Sequence, residues 1–248
     1  MDRFLRTELL IGKKKLKQLQ HSFVVVVGLG AVGSYALEAL ARAGVGKFRL
    51  VDFDIIRPTN INRHLHAFDS TVGMSKAMTA YARVRDINPR ATVAVMETFA
   101  SLETLREILG GKPDLVIDAI DSLNPKVQLL TACFKKKIPV ISSMGAAVRT
   151  DPFSIRVGDI FDTACCPLAA RLRKRLRKEN VGRGITCVYS EQKQSMGTLM
   201  TSASADSSEY TRGRVRKTLG SLPTLTGMFG LFVAHTAIEK LCGGFPGS

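Results

Sequence analysis

The chain has 248 residues, 45% of them hydrophobic, enough to bury a sizeable core in one α/β domain, or in one plus a small extension. Its 36 Lys and Arg against 21 Asp and Glu leave a net charge of +15, which favours a polyanionic partner, nucleic acid before an anionic membrane surface. The five cysteines, an odd number with no C-x-x-C pair, argue against a disulfide framework and against a four-cysteine zinc site.

Met1 to Leu10 lacks the apolar core of a signal peptide, so a reducing cytoplasm is the expectation. Arg3 to Gln20 reads as a helical, basic lead-in. Phe23 to Gly33 (FVVVVGLGAVG) is the stretch around which the rest of the chain is organised. Val24 to Val27 form a continuous β-branched run, the pattern of a strand buried on both faces in a parallel sheet. Gly28, Gly30 and Gly33 then stand in G-x-G-x-x-G spacing. The first permits a tight turn, the second admits a phosphate to the backbone, and the third lets the next helix pack on the strand. That helix is expected from Val32 to Arg42, with its N-terminus open to an anion.

Phe48 to Val51 reads as the second strand, ending at Asp52. An acid about 20 residues past the glycines is where a ribose hydroxyl is gripped. Asn60 to Gly73 reads as loop, Lys76 to Ile87 as a helix ended by Asn88-Pro89, and Thr92 to Met96 as a strand. A short helix over Leu102 to Leu109 precedes a buried strand at Leu115 to Ile117, followed by Asp118 and Asp121. Asn124-Pro125 opens a helix running to about Lys136. Pro139 to Ile141 is a strand and Ile155 to Val157 one more. Strands alternating with helices predict an α/β fold, a doubly wound, mostly parallel sheet (Rossmann-like) with a C-terminal extension. Ligands then sit outside the carboxyl ends of the strands, where Asp52, Asp121 and Ser142 all fall. Residues 1–248 are expected to form a single nucleotide-binding domain, with 160–248 as its substrate-facing part.

Beyond Asp159 the texture changes. Pro167 to Lys178 reads as a strongly basic helix. Leu168, Leu172 and Leu176 make its apolar stripe, and Arg171, Lys174, Arg175 and Lys178 its basic face, with Arg173 and Arg177 beside it. Ser190 to Tyr210 is polar. Thr218 to Ile238 carries no Asp, Glu, Lys or Arg, yet only Met228 to Ile238 is densely apolar. A buried packing helix is expected there, not a membrane span.

The glycine loop gains meaning from its company: Asp52 and Asp54, Asn60 and Arg63, Lys76 opening a helix, and Asp121. Taken singly, Asp52 reads as a turn cap, Arg63 and Lys76 as solvent-facing charges, and Asp121 as a helix cap. Together they supply cations, a ribose-binding acid and a second acid at one sheet edge. A nicotinamide cofactor needs no such cations. ATP cleaved between its α- and β-phosphates needs Arg and Lys to neutralise developing charge and an acid for Mg2+.

The residues that carry this pattern are Arg3 and Arg6, Gly28/Gly30/Gly33, Asp52/Asp54, Asn60/Arg63, Lys76 and Asp118/Asp121. In this set the chain resembles the ubiquitin-activating-enzyme-like (ThiF/MoeB/HesA) superfamily. The resemblance implies that Asp52 binds ribose, that Arg63 and Lys76 bind phosphates, and that Asp121 holds the metal. It also implies a homodimer in which Arg6 reaches into the second subunit's site. Zinc-binding C-x-x-C pairs, usual in the sulfur-carrier branch, are lacking in this sequence.

Asp151 to Val157 (D-P-x-x-I-x-V), Pro167 to Arg173 (P-L-A-A-x-L-R) and Cys187 to Ser190 (C-V-Y-S) resemble the tRNA threonylcarbamoyladenosine dehydratases. That resemblance implies tRNA as substrate, ATP-dependent cyclisation of its threonylcarbamoyladenosine through an acyl-adenylate, and a cysteine desulfurase or sulfur-acceptor protein as a further partner. The basic helix is then the expected tRNA contact. Two features depart from the pattern. His64 stands where a Gln often follows the Arg, and Cys165-Cys166 is unusual beside the basic helix. The alternative is adenylation of the C-terminal glycine of a ubiquitin-like sulfur carrier, for which Cys187 is the placed nucleophile. A non-catalytic subunit would be expected to lack the Arg, Lys or metal Asp.

Overall fold

A computed structural model describes residues 3–193 and 219–245. Among the described residues a single sheet runs in the order β3-β2-β1-β4-β5-β7-β6. Its strands are β1 (Phe23–Val27), β2 (Lys47–Val51), β3 (Thr92–Met96), β4 (Leu115–Asp118), β5 (Val140–Ser143), β6 (Ile155–Asp159) and β7 (Thr186–Ser190). All neighbours pair in parallel except β6 with β7, which is antiparallel. The chain starts in the middle at β1, winds outward to β3, then returns to place β4 on the other side of β1. The strand order reverses between β1 and β4, so the crevice at their carboxyl ends is the place where such a sheet receives ligands.

The helices are α1 (Leu5–Ile11), α2 (Lys13–His21), α3 (Ala31–Ala43), α4 (Lys76–Ile87), α5 (Leu105–Ile108), α6 (Leu123–Lys135), α7 (Pro167–Lys178) and α8 (Pro223–Cys242). Alternation along the strands divides the core. Val24 and Val26 face α3, α4 and α8, while Val25 and Val27 face α5, α6 and α7. All five residues of β1 are buried, and each fully buried valine contributes on the order of 1.5–3 kcal/mol relative to exposure.

Three elements differ from the sequence reading. The lead-in is two helices broken at Gly12, which sits at φ +86°. The last strand in the chain, β7, was unexpected: it inserts between β5 and β6 and turns β6 antiparallel. The apolar C-terminal helix extends well beyond Met228–Ile238, to twenty residues from Pro223 to Cys242. Gly227 and Gly230 bring it against α3, since a Cβ at Gly230 would stand 2.5 Å from the Val32 carbonyl oxygen. Among the described residues no helix is long and apolar enough to cross a membrane. The stretch from 194 to 218, with the basic Arg212 to Lys217, lies outside the described residues.

Candidate functional site

The glycine loop leaves β1 and is held on both sides. Gly28 adopts φ +89°, and a Cβ there would lie 2.7 Å from the Ala119 carbonyl oxygen. A Cβ at Gly33 would stand 1.9 Å from the Gly28 carbonyl oxygen. These two glycines are therefore dictated by the protein's own packing. Gly30 is different. It caps the N-terminus of α3, and a Cβ built on it would meet nothing within 4 Å. That open space, beside the free N–H groups of a helix N-terminus, is a cradle that could hold a phosphate.

Leu29, between the first two glycines, is fixed through both its backbone groups. Its N–H donates to Asp52 Oδ2 at 2.7 Å, and its carbonyl lies 2.6 Å from His64 Nε2. The other Asp52 oxygen accepts the Asp54 N–H at 2.9 Å. Burial pushes the Asp52 carboxyl above its ordinary range, opposed by the charge of Lys76 and by these hydrogen bonds. Asp52 thus ties the glycine loop to the end of β2, and its remaining lone pairs are what a ribose hydroxyl can use.

Lys76 opens α4 just after the N-cap Ser75, whose side chain accepts from the Met78 N–H. Its ammonium pairs with Asp54 Oδ2 at 2.9 Å. Arg63 bends back on its own loop, where Nη1 donates to the Thr59 carbonyl at 2.7 Å and to Asn62 Oδ1 at 2.8 Å. Asn60 Oδ1 accepts from the Arg57 N–H at 3.2 Å and shapes the turn that carries Arg63. The loop is docked on α3 by the Leu65 N–H, which donates to Ser34 Oγ at 3.2 Å.

At the end of β4 the structure adds a partner that the sequence reading missed, Lys126, to Asp118 and Ser142, which it had named. Asp118 and Lys126 are both fully buried and form an ion pair at 2.8 Å. Ser142 Oγ donates to Asp118 Oδ2 at 2.6 Å, and Lys126 also donates to the Ile120 carbonyl at 3.0 Å. This network builds the turn from 118 to 121, which presses on Gly28 and ends in the exposed Asp121. A signal was available. Lys126 stands at i relative to Leu129, Leu130 and Cys133, which puts a lysine on the buried stripe of α6.

The glycine loop, Asp52, Asp54, Asn60, Arg63, Lys76 and Asp121 therefore gather at one sheet edge. Arg6 does not join them. It is exposed on α1, whose neighbour Phe4 packs with Leu16 at Gly44, the far end of α3. A helix of that length puts about 20 Å between the two ends. Helix α7 forms as expected. Leu172 and Leu176 are buried, and Arg171, Lys174, Arg175 and Lys178 are exposed. Arg175 donates to Asn124 Oδ1 at the start of α6, three residues past Asp121. Cys187 is buried in β7, and burial pushes its thiol up to about 12, so it stays protonated and a poor nucleophile. Among the described residues no cluster of three or more His, Cys, Asp or Glu side chains is placed to hold a metal. One carboxylate such as Asp121, completed by phosphate oxygens and water, is a donor set that suits Mg2+.

Comparison with known proteins gives the family and the fold. Residues 2–246 match the model of the ThiF family. The chain is 45% identical over 192 residues to a tRNA threonylcarbamoyladenosine dehydratase of Bacillus subtilis (strain 168), covering 77% of this chain and 76% of that protein. It is 37% identical over 252 residues to a protein of the same name from Escherichia coli (strain K12), covering 97% and 93% of the two chains. A solved structure, E. coli tRNA N6-threonylcarbamoyladenosine dehydratase in complex with ATP, superposes with a TM-score of 0.86 at 33% identity, over 97% of this chain and 94% of that one.

Proposed function

The chain belongs to the ThiF family, and on that premise we propose that it uses ATP to cyclise threonylcarbamoyladenosine in tRNA with loss of water. The observation that carries the nucleotide half is the open cradle at Gly30, the one glycine of the motif whose Cβ would meet no protein atom. A carboxylate is a poor electrophile and an acyl-adenylate a good one. An oxygen of the threonyl carboxylate attacks the α-phosphorus of ATP, and pyrophosphate leaves. A nitrogen of the carbamoyl group or its neighbour then attacks the acyl carbon, loses its proton to solvent, and AMP departs with the oxygen that the substrate gives up.

In this reading the N–H groups at the start of α3 hold phosphate oxygens, and Asp52 takes the ribose. Lys76 turns its ammonium from Asp54 alone to a share with the phosphates, and Arg63 unfolds from Thr59 to neutralise charge as the α–β bond breaks. Asp121 would hold Mg2+, which would supply positive charge to offset that of the phosphates. Arg6 enters the site of the second subunit of a homodimer, consistent with its remoteness from the site on its own chain. Residues 1–248 act as one ATP-binding domain, with 160–248 facing the substrate. Arg171, Lys174, Arg175 and Lys178 hold tRNA phosphates beside the turn that bears Asp121, and a cysteine desulfurase or sulfur-acceptor protein is a further partner.

The test is to incubate the protein with bulk tRNA and ATP, digest the tRNA and weigh its nucleosides. Loss of one water from a modified adenosine, matched by AMP and pyrophosphate, is the expected result. No dehydrated nucleoside, together with AMP attached to the C-terminal glycine of a carrier protein, would favour the sulfur-carrier alternative.

A further inference from the structure

We infer that His64 is a positioning residue for the triphosphate of ATP, a neutral imidazole that sets the Leu29 peptide and registers the Arg63 loop against the glycine loop. The inference rests on the reading that ATP occupies the glycine-loop cradle. His64 is 4% exposed, and its Nε2 lies 2.6 Å from the Leu29 carbonyl oxygen, thirty-five residues away in sequence. A carbonyl only accepts, so the hydrogen is on Nε2 and Nδ1 is left as a bare acceptor. Nδ1 is buried and has no hydrogen-bond partner. A residue kept only to fill this space need not leave such an atom unsatisfied, because an apolar side chain would fill it at no such penalty. What the imidazole supplies is the bond to Leu29.

That bond matters because of what Leu29 joins. Its N–H is held by Asp52, the proposed ribose acid, and its carbonyl by His64, the residue after the proposed phosphate arginine. The peptide following that carbonyl is Gly30's, where the open cradle begins. Asp52 and His64 therefore grip one residue from opposite sides, so that the ribose acid, the backbone cradle and the Arg63 loop share one frame. The Leu65 N–H to Ser34 Oγ contact anchors the same loop one residue on. Burial, with the neighbouring charges of His66, Lys76 and Arg63, presses the His64 pKa down to about 3, so the imidazole stays the neutral donor that this geometry needs.

The test compares the full-length chain with His64→Leu, which cannot donate, and His64→Gln, whose amide can. ATP and adenosine serve as calorimetric probes. Loss of one charge-assisted hydrogen bond to phosphate costs about tenfold to a hundredfold in affinity, so His64→Leu should lose that much ATP affinity while adenosine, which lacks phosphates, binds within about twofold of wild type. His64→Gln should keep ATP binding within about threefold. Unchanged ATP affinity in His64→Leu, or equal losses for ATP and adenosine, would overturn the assignment. Should the leucine variant fail to fold, imidazole nitrogen NMR of the wild-type chain decides. The His64 Nε2–H signal should shift on adding ATP and not on adding adenosine, and no shift with ATP counts against the role. A wild-type chain that binds neither probe would instead reject the nucleotide site itself.

Discussion

Replacing Gly30 and Gly33 by alanine separates what the glycine motif does for the fold from what it does for the ligand. At Gly33 the added methyl carbon would lie 1.9 Å from the Gly28 carbonyl oxygen, where ordinary contact begins at 3.4 Å. Helix α3 would have to move off β1 by about 1.5 Å, an overpacking strain of about 1–3 kcal/mol. For a chain of this size that lowers Tm by about 2–4 °C per kcal/mol. Gly30 sits at φ −71° and ψ −150° with nothing within 4 Å of its Cβ position, a backbone that alanine accepts. Its unfolded-state effect is favourable by up to about 1 kcal/mol, so Tm should hold or rise slightly. The methyl group would, however, stand where a phosphate oxygen meets the N–H groups of α3. Loss of one charge-assisted hydrogen bond, about 1.5–3 kcal/mol, weakens ATP binding by about tenfold to a hundredfold. Differential scanning fluorimetry and ATP titration calorimetry read the two quantities separately. Gly30→Ala binding ATP as tightly as wild type would refute the placement of the phosphate at this cradle.

Four further outcomes are expected. Lys126→Met strands the buried Asp118 carboxylate and should cost about 3–5 kcal/mol in denaturant melts, whereas Lys126→Met with Asp118→Leu should recover most of that loss; equal losses in both would mean that packing, not charge pairing, holds the turn. His64 is neutral in the fold and has a pKa near 6.5 when unfolded, so the unfolded chain gains the proton first as pH falls. Wild-type stability should therefore decline below pH 6.5, by up to about 1.4 kcal/mol per pH unit, and His64→Gln should show a shallower decline; identical slopes would show that His64 titrates normally. Arg6→Ala chains mixed with Asp121→Ala chains should regain part of the pyrophosphate release that each lacks alone, since one hybrid site carries both residues; no rescue in verified mixed dimers would place Arg6 outside the site. Converting Arg171, Lys174, Arg175 and Lys178 to Gln should flatten the fall of log affinity for tRNA with log salt, by about one unit for each phosphate no longer neutralised; an unchanged slope in filter binding would move the tRNA to another surface.

Much of this molecule is local and therefore legible in order along the chain. The β-branched run of β1, the glycine spacing, the acid ending β2 and the apolar stripe of α7 each follow from backbone sterics and periodicity over a few residues. They were enough to name the acids, cations and glycines that the fold brings to one edge of the sheet. What the chain order could not supply is which distant groups meet. Strand β7 enters the sheet beside β5, across 43 residues from Ser143 to Thr186, and makes β6 antiparallel. Periodicity puts Lys126 on the buried stripe of α6 but names no partner; only packing brings it to Asp118 and Ser142, where removal from water makes their pairing obligatory. His64 is one polar residue in a polar loop until folding sets it under Leu29. Even the glycines divide only in three dimensions. Gly28 and Gly33 are forced by neighbours that the fold brings to them, while Gly30 is left facing open space. Sequence determined most of the elements and the residue types at their ends, because both depend on near neighbours. Tertiary structure decided which charges and ring nitrogens are buried beside that edge and what they pair with, because burial and pairing exist only once distant segments close on one another.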